Sequence, residues 1–237
     1  VISIVTASFK CPDWIELLVK SVRKFTDLPY ELIVVDNDSR DNSLLWLASQ
    51  ADIRLLALTH NIGHGAGLDW GIRKARYKYV LVMDADAHLQ RLGWDADMID
   101  LYNVNPDTRL VAAGGSQRVI DSCKPIHACF QFFEREYFLD NKMSFVPGQH
   151  DVGRKNYYDV TGRGHNVERV FAGPKFYPDA YGDEYYINGQ PTIFHMWYGS
   201  RMARIPDDGK VDNYLKSDYE ANKRHIFSMP LVRRILE

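Results

Sequence analysis

Cysteine is scarce in this chain: Cys11, Cys123 and Cys129 are the only three in 237 residues. An odd number without paired spacing indicates neither a disulfide framework nor a zinc cluster, and a reducing compartment fits better. Long apolar runs are missing as well. No segment approaches the roughly 20 residues that cross a bilayer, and no signal peptide opens the chain, so a cytoplasmic location is expected, with peripheral contact with a membrane left open. There is no excess of basic residues. Lys and Arg number 29 against 31 Asp and Glu, a formal charge of -2, and they are dispersed, which leaves no footprint for nucleic acid. Internal repeats, low-complexity tracts and linkers are absent too. One domain over 1–237 is expected, divided into a first half, 1–88, and a second, 89–237.

What the chain does contain is apolar side chains, 46% of the total with 13% aromatic, enough for a substantial core. Val1–Val5, Leu32–Val35, Ile53–Leu58 and Tyr79–Met83 are short apolar runs of strand character, separated by stretches of helical spacing such as Trp14, Leu17, Leu18 and Phe25. Strands alternating with helices predict an α/β fold with a mostly parallel central sheet, whose ligands bind beyond the carboxyl ends of the strands. Each run stops in polar residues: Thr6–Ser8, Asp36–Asn37, the Asn61–Gly67 loop, and Asp84–Asp86. Four polar termini therefore meet along one sheet edge. Further on, a helix is predicted from Trp94, strands over Leu110–Gly115 and His127–Phe133, a loop over Phe145–Val160, a helix over Thr161–Ala172, strands at Lys175–Asp179 and Pro191–His195, and a helix over Asp212–Arg224.

Asp84-Ala85-Asp86 is the centre of this arrangement. Two carboxylates one residue apart repel each other unless a cation lies between them, and a hard divalent ion bound through oxygen is the usual partner. Gly63-His64-Gly65-Ala66-Gly67 looks at first like a dinucleotide fingerprint. Leu68 stands where its last glycine belongs and the preceding strand is the third, so close packing of the loop is the better reading.

Together, Val1–Thr6, Glu31–Ser39 with Asp41-Asn42-Ser43, Asn61-Ile62-Gly63 and Tyr79–Asp86 resemble the inverting nucleotide-sugar glycosyltransferases of the GT-A fold, in particular the family-two group. The resemblance implies transfer of a sugar from a nucleoside-diphosphate donor to a hydroxyl of a glycan, a lipid-linked or another acceptor, with Mn²⁺ or Mg²⁺. It implies that Thr6, Ser8, Asp36, Asn61 and Gly63 hold the nucleoside, that Asp84 meets ribose and metal, and that Asp86 ligates the metal. Asp69 falls where many relatives carry a polar residue facing the base. Nucleotidyltransferases that make sugar nucleotides also use Asp-x-Asp, but they carry a glycine-rich loop where this chain has Thr6-Ala7-Ser8-Phe9-Lys10. A binding module that has kept the fold without the chemistry is the other rival.

Inverting transfer needs a carboxylate base. Tyr158-Asp159, the helix predicted after it, Gly173 and Pro178-Asp179 follow the order seen in relatives, which favours Asp159, and Asp183-Glu184 is the alternative acidic pair. Relatives also carry a late strand ending in His followed by small residues and Ser. His195 in Thr192–Trp197 fits as a third metal ligand, with His88 as its competitor, and Arg201 is then placed for the diphosphate.

Overall fold

The computed structural model describes residues 1–116, 126–173, 182–196 and 213–237. Its first third alternates strand and helix: β1 (Ile2–Ser8), α1 (Pro12–Phe25), β2 (Tyr30–Asp36), α2 (Asn42–Ala48), β3 (Ile53–Ala57), α3 (His64–Lys74) and β4 (Tyr79–Met83). All seven residues of β1 are buried, because it lies between β2 and β4 in the parallel part of the sheet. α1 opens on Pro12, where a missing N–H has no intrahelical acceptor to lose, and buries Trp14, Leu17, Leu18 and Val22. Asp41 caps α2 by accepting from Ser43 N.

Next come β5 (Ala87–Leu89), α4 (Trp94–Asn103), β6 (Thr108–Ser116), β7 (His127–Glu134), α5 (Arg135–Asp140), α6 (Lys155–Thr161), β8 (Asn166–Ala172), β9 (Gly182–Ile187), β10 (Gln190–Met196), α7 (Asn213–Ser228) and α8 (Pro230–Leu236). The strands form one sheet in the order β3-β2-β1-β4-β7-β6-β8-β9-β10-β5. β7 runs antiparallel to β4, β6 pairs parallel with β8, and β9, β10 and β5 form an antiparallel ribbon at the far end. Side chains alternate between two apolar clusters: Ile4, Leu32, Val34 and Leu81 join α1 and α4 on one face, while Val5, Ile33, Val35 and Val80 join α3 on the other.

Several elements differ from their sequence-based expectation. The segment 161–172 is not a helix, because Asn166–Ala172 forms β8 along the free edge of β6. Val160, Val167 and Val170 mimic helical spacing, and edge pairing overrides it. The glycine cluster is not a loop throughout, since α3 starts at His64. Its glycines are there for contact: a Cβ on Gly65 would sit 2.3 Å from the Phe145 carbonyl oxygen, and one on Gly71 would sit 2.5 Å from Val5. The 145–160 stretch contains α6, and β5 and β9 have no counterpart in the sequence reading. The strand expected at Lys175–Asp179 and the residue Arg201 lie outside the described residues.

Candidate active site

The Asp84–Asp86 segment is where the chain passes from one part of the sheet to the other. β4 ends at Met83 in the parallel half, and β5 begins at Ala87 against β10 in the ribbon. Backbone bonds fasten this crossing on both sides: Asp84 N to Cys129 O at 2.9 Å, Ala87 N to Asp84 O at 3.0 Å, and Met196 N to Asp86 O at 3.1 Å. Because Ala87 pairs with His195 in the β5–β10 register, the imidazole is brought to the carboxylates.

His195 Nε2 lies 3.4 Å from Asp86 Oδ1 and 3.7 Å from Asp84 Oδ2. One ligand atom from each of Asp84, Asp86 and His195 falls within 4.8 Å of the others, a spacing that one ion can bridge. Two carboxylates and an imidazole are a donor set that a divalent metal ion can use. Burial alone would lower the His195 pKa, but the hydrogen bond and charge of Asp86, with the charges of Asp84 and Asp183, raise it. Asp84 is affected oppositely. Burial raises its pKa, yet a 2.9 Å hydrogen bond from His64 Nε2 and the nearby imidazoles hold it below the usual carboxylate range.

His64 was not among the residues singled out from sequence. It occupies the first turn of α3, directly after Gly63, whose φ of +93° only glycine adopts without strain. Asn37 ties that turn to β2: it accepts from Ile62 N and donates to Gly63 O, both at 3.3 Å. Ser8 pairs with Asp36 in the β1–β2 register. The expected edge is thus linked from Ser8 and Asp36 through Asn37 and Gly63 to His64 and Asp84.

Within that edge the roles divide. Thr6 is buried with its hydroxyl lacking a hydrogen-bond partner among the described residues, and the Ser8 hydroxyl lies 3.4 Å from Cys11 Sγ. Both Asp36 oxygens accept from Ser39, closing the turn after β2. Asn61 accepts from Gly63 N at 2.8 Å and so shapes the entry to α3. Asp69 accepts from Ser144 Oγ and Phe145 N, which makes it the anchor of the segment after α5, and desolvation by burial raises its pKa. Asp159 sits on α6, where Lys155 engages its carboxylate and Arg163 its carbonyl. Asp183, in contrast, stands opposite His195 in the β9–β10 register, partly exposed. Its neighbour Glu184 is turned away and accepts from Gln90 and Tyr186. His88 is buried and ring-packed on Phe194, and desolvation drops its pKa to about 3. His127 lies with its ring centroid 5.1 Å from that of His195, and burial first, then the charge of His195, lowers its pKa to about 4.

The model of "Glycosyl transferase family 2" matches residues 3–162, a span that includes the Asp84–Asp86 crossing with Thr6, Ser8, Asp36, Asn61, Gly63 and Asp69. The chain belongs to glycosyl transferase family 2. A dolichyl-phosphate beta-glucosyltransferase of Dictyostelium discoideum is 27% identical over 116 residues, 46% of this chain and 36% of its own. A poly-beta-1,6-N-acetyl-D-glucosamine synthase of Staphylococcus aureus is 27% identical over 121 residues, 50% of this chain and 29% of its own. This family-two chain therefore matches about a third of the length of those curated relatives. Among solved structures, the mannosyltransferase PcManGT of Pyrobaculum calidifontis, in complex with GDP-Man and Mn²⁺, superposes with a TM-score of 0.61 at 17% identity, covering 99% of this chain and 73% of that one. Glucosyl-3-phosphoglycerate synthase of Mycobacterium tuberculosis, in complex with Mn²⁺, UDP and glucosyl-3-phosphoglycerate, gives 0.57 at 18% identity, covering 72% of this chain and 69% of that one. The fold is GT-A. Among the described residues no helix is long and apolar enough to cross a membrane.

Proposed function

We propose that this chain is a metal-dependent inverting glycosyltransferase that moves a sugar from a nucleoside-diphosphate donor to an acceptor hydroxyl. The observation that carries the reading is the convergence of Asp84, Asp86 and His195 within 4.8 Å, joined to the carboxyl ends of β1 and β2. Asp84, Asp86 and His195 would hold Mn²⁺, or less readily Mg²⁺, and the ion supplies Lewis-acid stabilisation of the departing diphosphate. Ser8, Asp36, Asn61 and Gly63 frame the nucleoside side, with Thr6 buried behind them in β1, its hydroxyl without a hydrogen-bond partner among the described residues. Asp69 and the turn-closing oxygens of Asp36 contribute by fixing the backbone around that side.

For the base, Asp183 is favoured over Asp159. The support is its place opposite His195 in the β9–β10 register, beside the carboxylate pair, and its partial exposure. As the acceptor oxygen bonds to the anomeric carbon and the diphosphate leaves on the opposite side, the acceptor proton passes to the Asp183 carboxylate. Incubation with UDP-, GDP- and dTDP-sugars and Mn²⁺ tests the reading. Slow release of nucleoside diphosphate, abolished by chelation, supports it. Pyrophosphate-dependent chemistry would make the protein a nucleotidyltransferase, and binding without turnover would make it a non-catalytic module.

A further inference from the structure

The metal cluster has a second, softer side. One ligand atom each from His127, Cys129 and His195 also falls within 4.8 Å of the others, so His195 belongs to two donor sets at once. A tetrahedral ion bound at about 2.0–2.3 Å to nitrogen and sulfur wants ligands roughly 3.5 Å apart, which this cluster reaches by small side-chain adjustments.

Each member is prepared for coordination in its own way. Cys129 is buried in β7, where burial first and then the charge of Asp84 push its thiol pKa well above the ordinary value and the hydrogen bond with Tyr185 offsets this only in part, so its sulfur becomes a thiolate ligand only as an ion takes the place of the proton. His127 Nδ1 accepts from Cys129 N at 3.2 Å, so it presents a lone pair beside that residue, and a metal there displaces only this one bond. His195 keeps Nε2 toward the carboxylates, while its Nδ1 is buried without a hydrogen-bond partner among the described residues. His127 stands partly exposed at the start of β7 and gives an incoming ion a way in.

We propose that His127, Cys129 and His195 form a binding site for a thiophilic divalent cation of the Zn²⁺ class, adjoining the carboxylate site through the shared His195 and antagonistic to it. Thiolate and imidazole select borderline-soft ions, whereas Asp84 and Asp86 select hard ones. Occupation of the soft set places a second cation beside the carboxylate site, on the other side of the shared His195 ring, and that repulsion disfavours Mn²⁺ there and inhibits Mn²⁺-dependent turnover. Binding is a simple exchange in which the Cys129 S–H bond breaks, a sulfur–metal bond forms and the proton passes to buffer, with no change of oxidation state. The inhibitory consequence rests on the function proposed above, but the site itself does not.

The experiment is a Co²⁺ titration of the full metal-free chain followed by absorbance, with no nucleotide present. A near-ultraviolet thiolate-to-cobalt band and visible bands of tetrahedral Co²⁺, saturating at one equivalent and displaced by Zn²⁺, are expected. Cys129→Ser should abolish the near-ultraviolet band, His127→Ala should weaken Co²⁺ binding at least tenfold, and Asp86→Asn should leave the band in place. Absence of the band in the wild-type chain, or its survival in Cys129→Ser, overturns the proposal. Micromolar Zn²⁺ should also inhibit Mn²⁺-dependent donor hydrolysis in wild type and not in Cys129→Ser. Equal inhibition of both would refute the antagonism, whereas a thiolate band in a chain without Mn²⁺-dependent activity would refute the function and leave the site standing.

Discussion

Replacing His64 by alanine removes the 2.9 Å hydrogen bond that holds Asp84 Oδ1 and leaves the backbone of α3 intact. A hydrogen bond to a charged group contributes about 1.5–3 kcal/mol, but both side chains are partly exposed, 35% and 16%, so about 1–2 kcal/mol is the fitting range here. If that energy serves to hold the carboxylate toward His195 and the ion, its loss weakens Mn²⁺ binding roughly 5- to 30-fold. Electron paramagnetic resonance counts free Mn²⁺ directly and can be run with and without nucleoside diphosphate, independently of turnover. His64→Gln, which keeps an N–H donor, should recover part of the loss. The opposite sign is physically open: were His64 simply competing with the ion for Asp84, its removal would tighten binding. Unchanged or tighter Mn²⁺ binding in His64→Ala therefore refutes the reasoning.

Asp183→Asn should lower turnover at least a hundredfold with Mn²⁺ affinity within about threefold, while Asp159→Asn changes turnover less than threefold; the reverse pattern returns the base to α6. His88 gives a stability test. Its pKa falls from about 6.5 unfolded to about 3 folded, so its contribution is full above pH 6.5 and is lost at about 1.4 kcal/mol per pH unit as pH falls toward 3. Urea unfolding of wild type and His88→Phe without metal should thus differ by about 2 kcal/mol more at pH 7 than at pH 5, and parallel pH profiles would contradict the assignment. Gly65→Ala drives a Cβ into the Phe145 carbonyl and should cost about 1–3 kcal/mol in the same assay, against less than about 0.5 for a surface change such as Asn103→Ala.

The parallel half was readable because its strands are buried on both faces and end abruptly in polar residues, so Val1–Val5, Leu32–Val35 and Tyr79–Met83 each announced β1, β2 and β4. The same logic put Asp84 and Asp86 together. In the other half β6, β7 and β10 were legible as Leu110–Gly115, His127–Phe133 and Pro191–His195, whereas β5, β8 and β9 were not, because they depend on partners remote in sequence: three residues, Ala87–Leu89, form β5 only because β10 runs past them. His195 was reached through resemblance, since nothing in Ile193-Phe194-His195 separates a ligand from a core histidine. His64 and His127 carry no spacing signal either. They enter the site through the packing of α3 and the register of β7, which only the folded chain specifies. The helix expected after Asp159 was misread for a related reason, since Asn166–Ala172 is β8, formed by pairing with β6.

The central claim is that Asp84, Asp86 and His195 make one metal site that serves a nucleoside diphosphate. Isothermal titration of UDP and of GDP into the full chain, with Mn²⁺ and with EDTA, tests it most directly when wild type is set beside Asp86→Asn. The account predicts that at least one nucleotide binds with Mn²⁺, at least tenfold more weakly with EDTA, and that Asp86→Asn loses the Mn²⁺ advantage while its unfolding midpoint stays within a few degrees. Equal affinity with and without Mn²⁺, or a full Mn²⁺ advantage retained in Asp86→Asn, would contradict it.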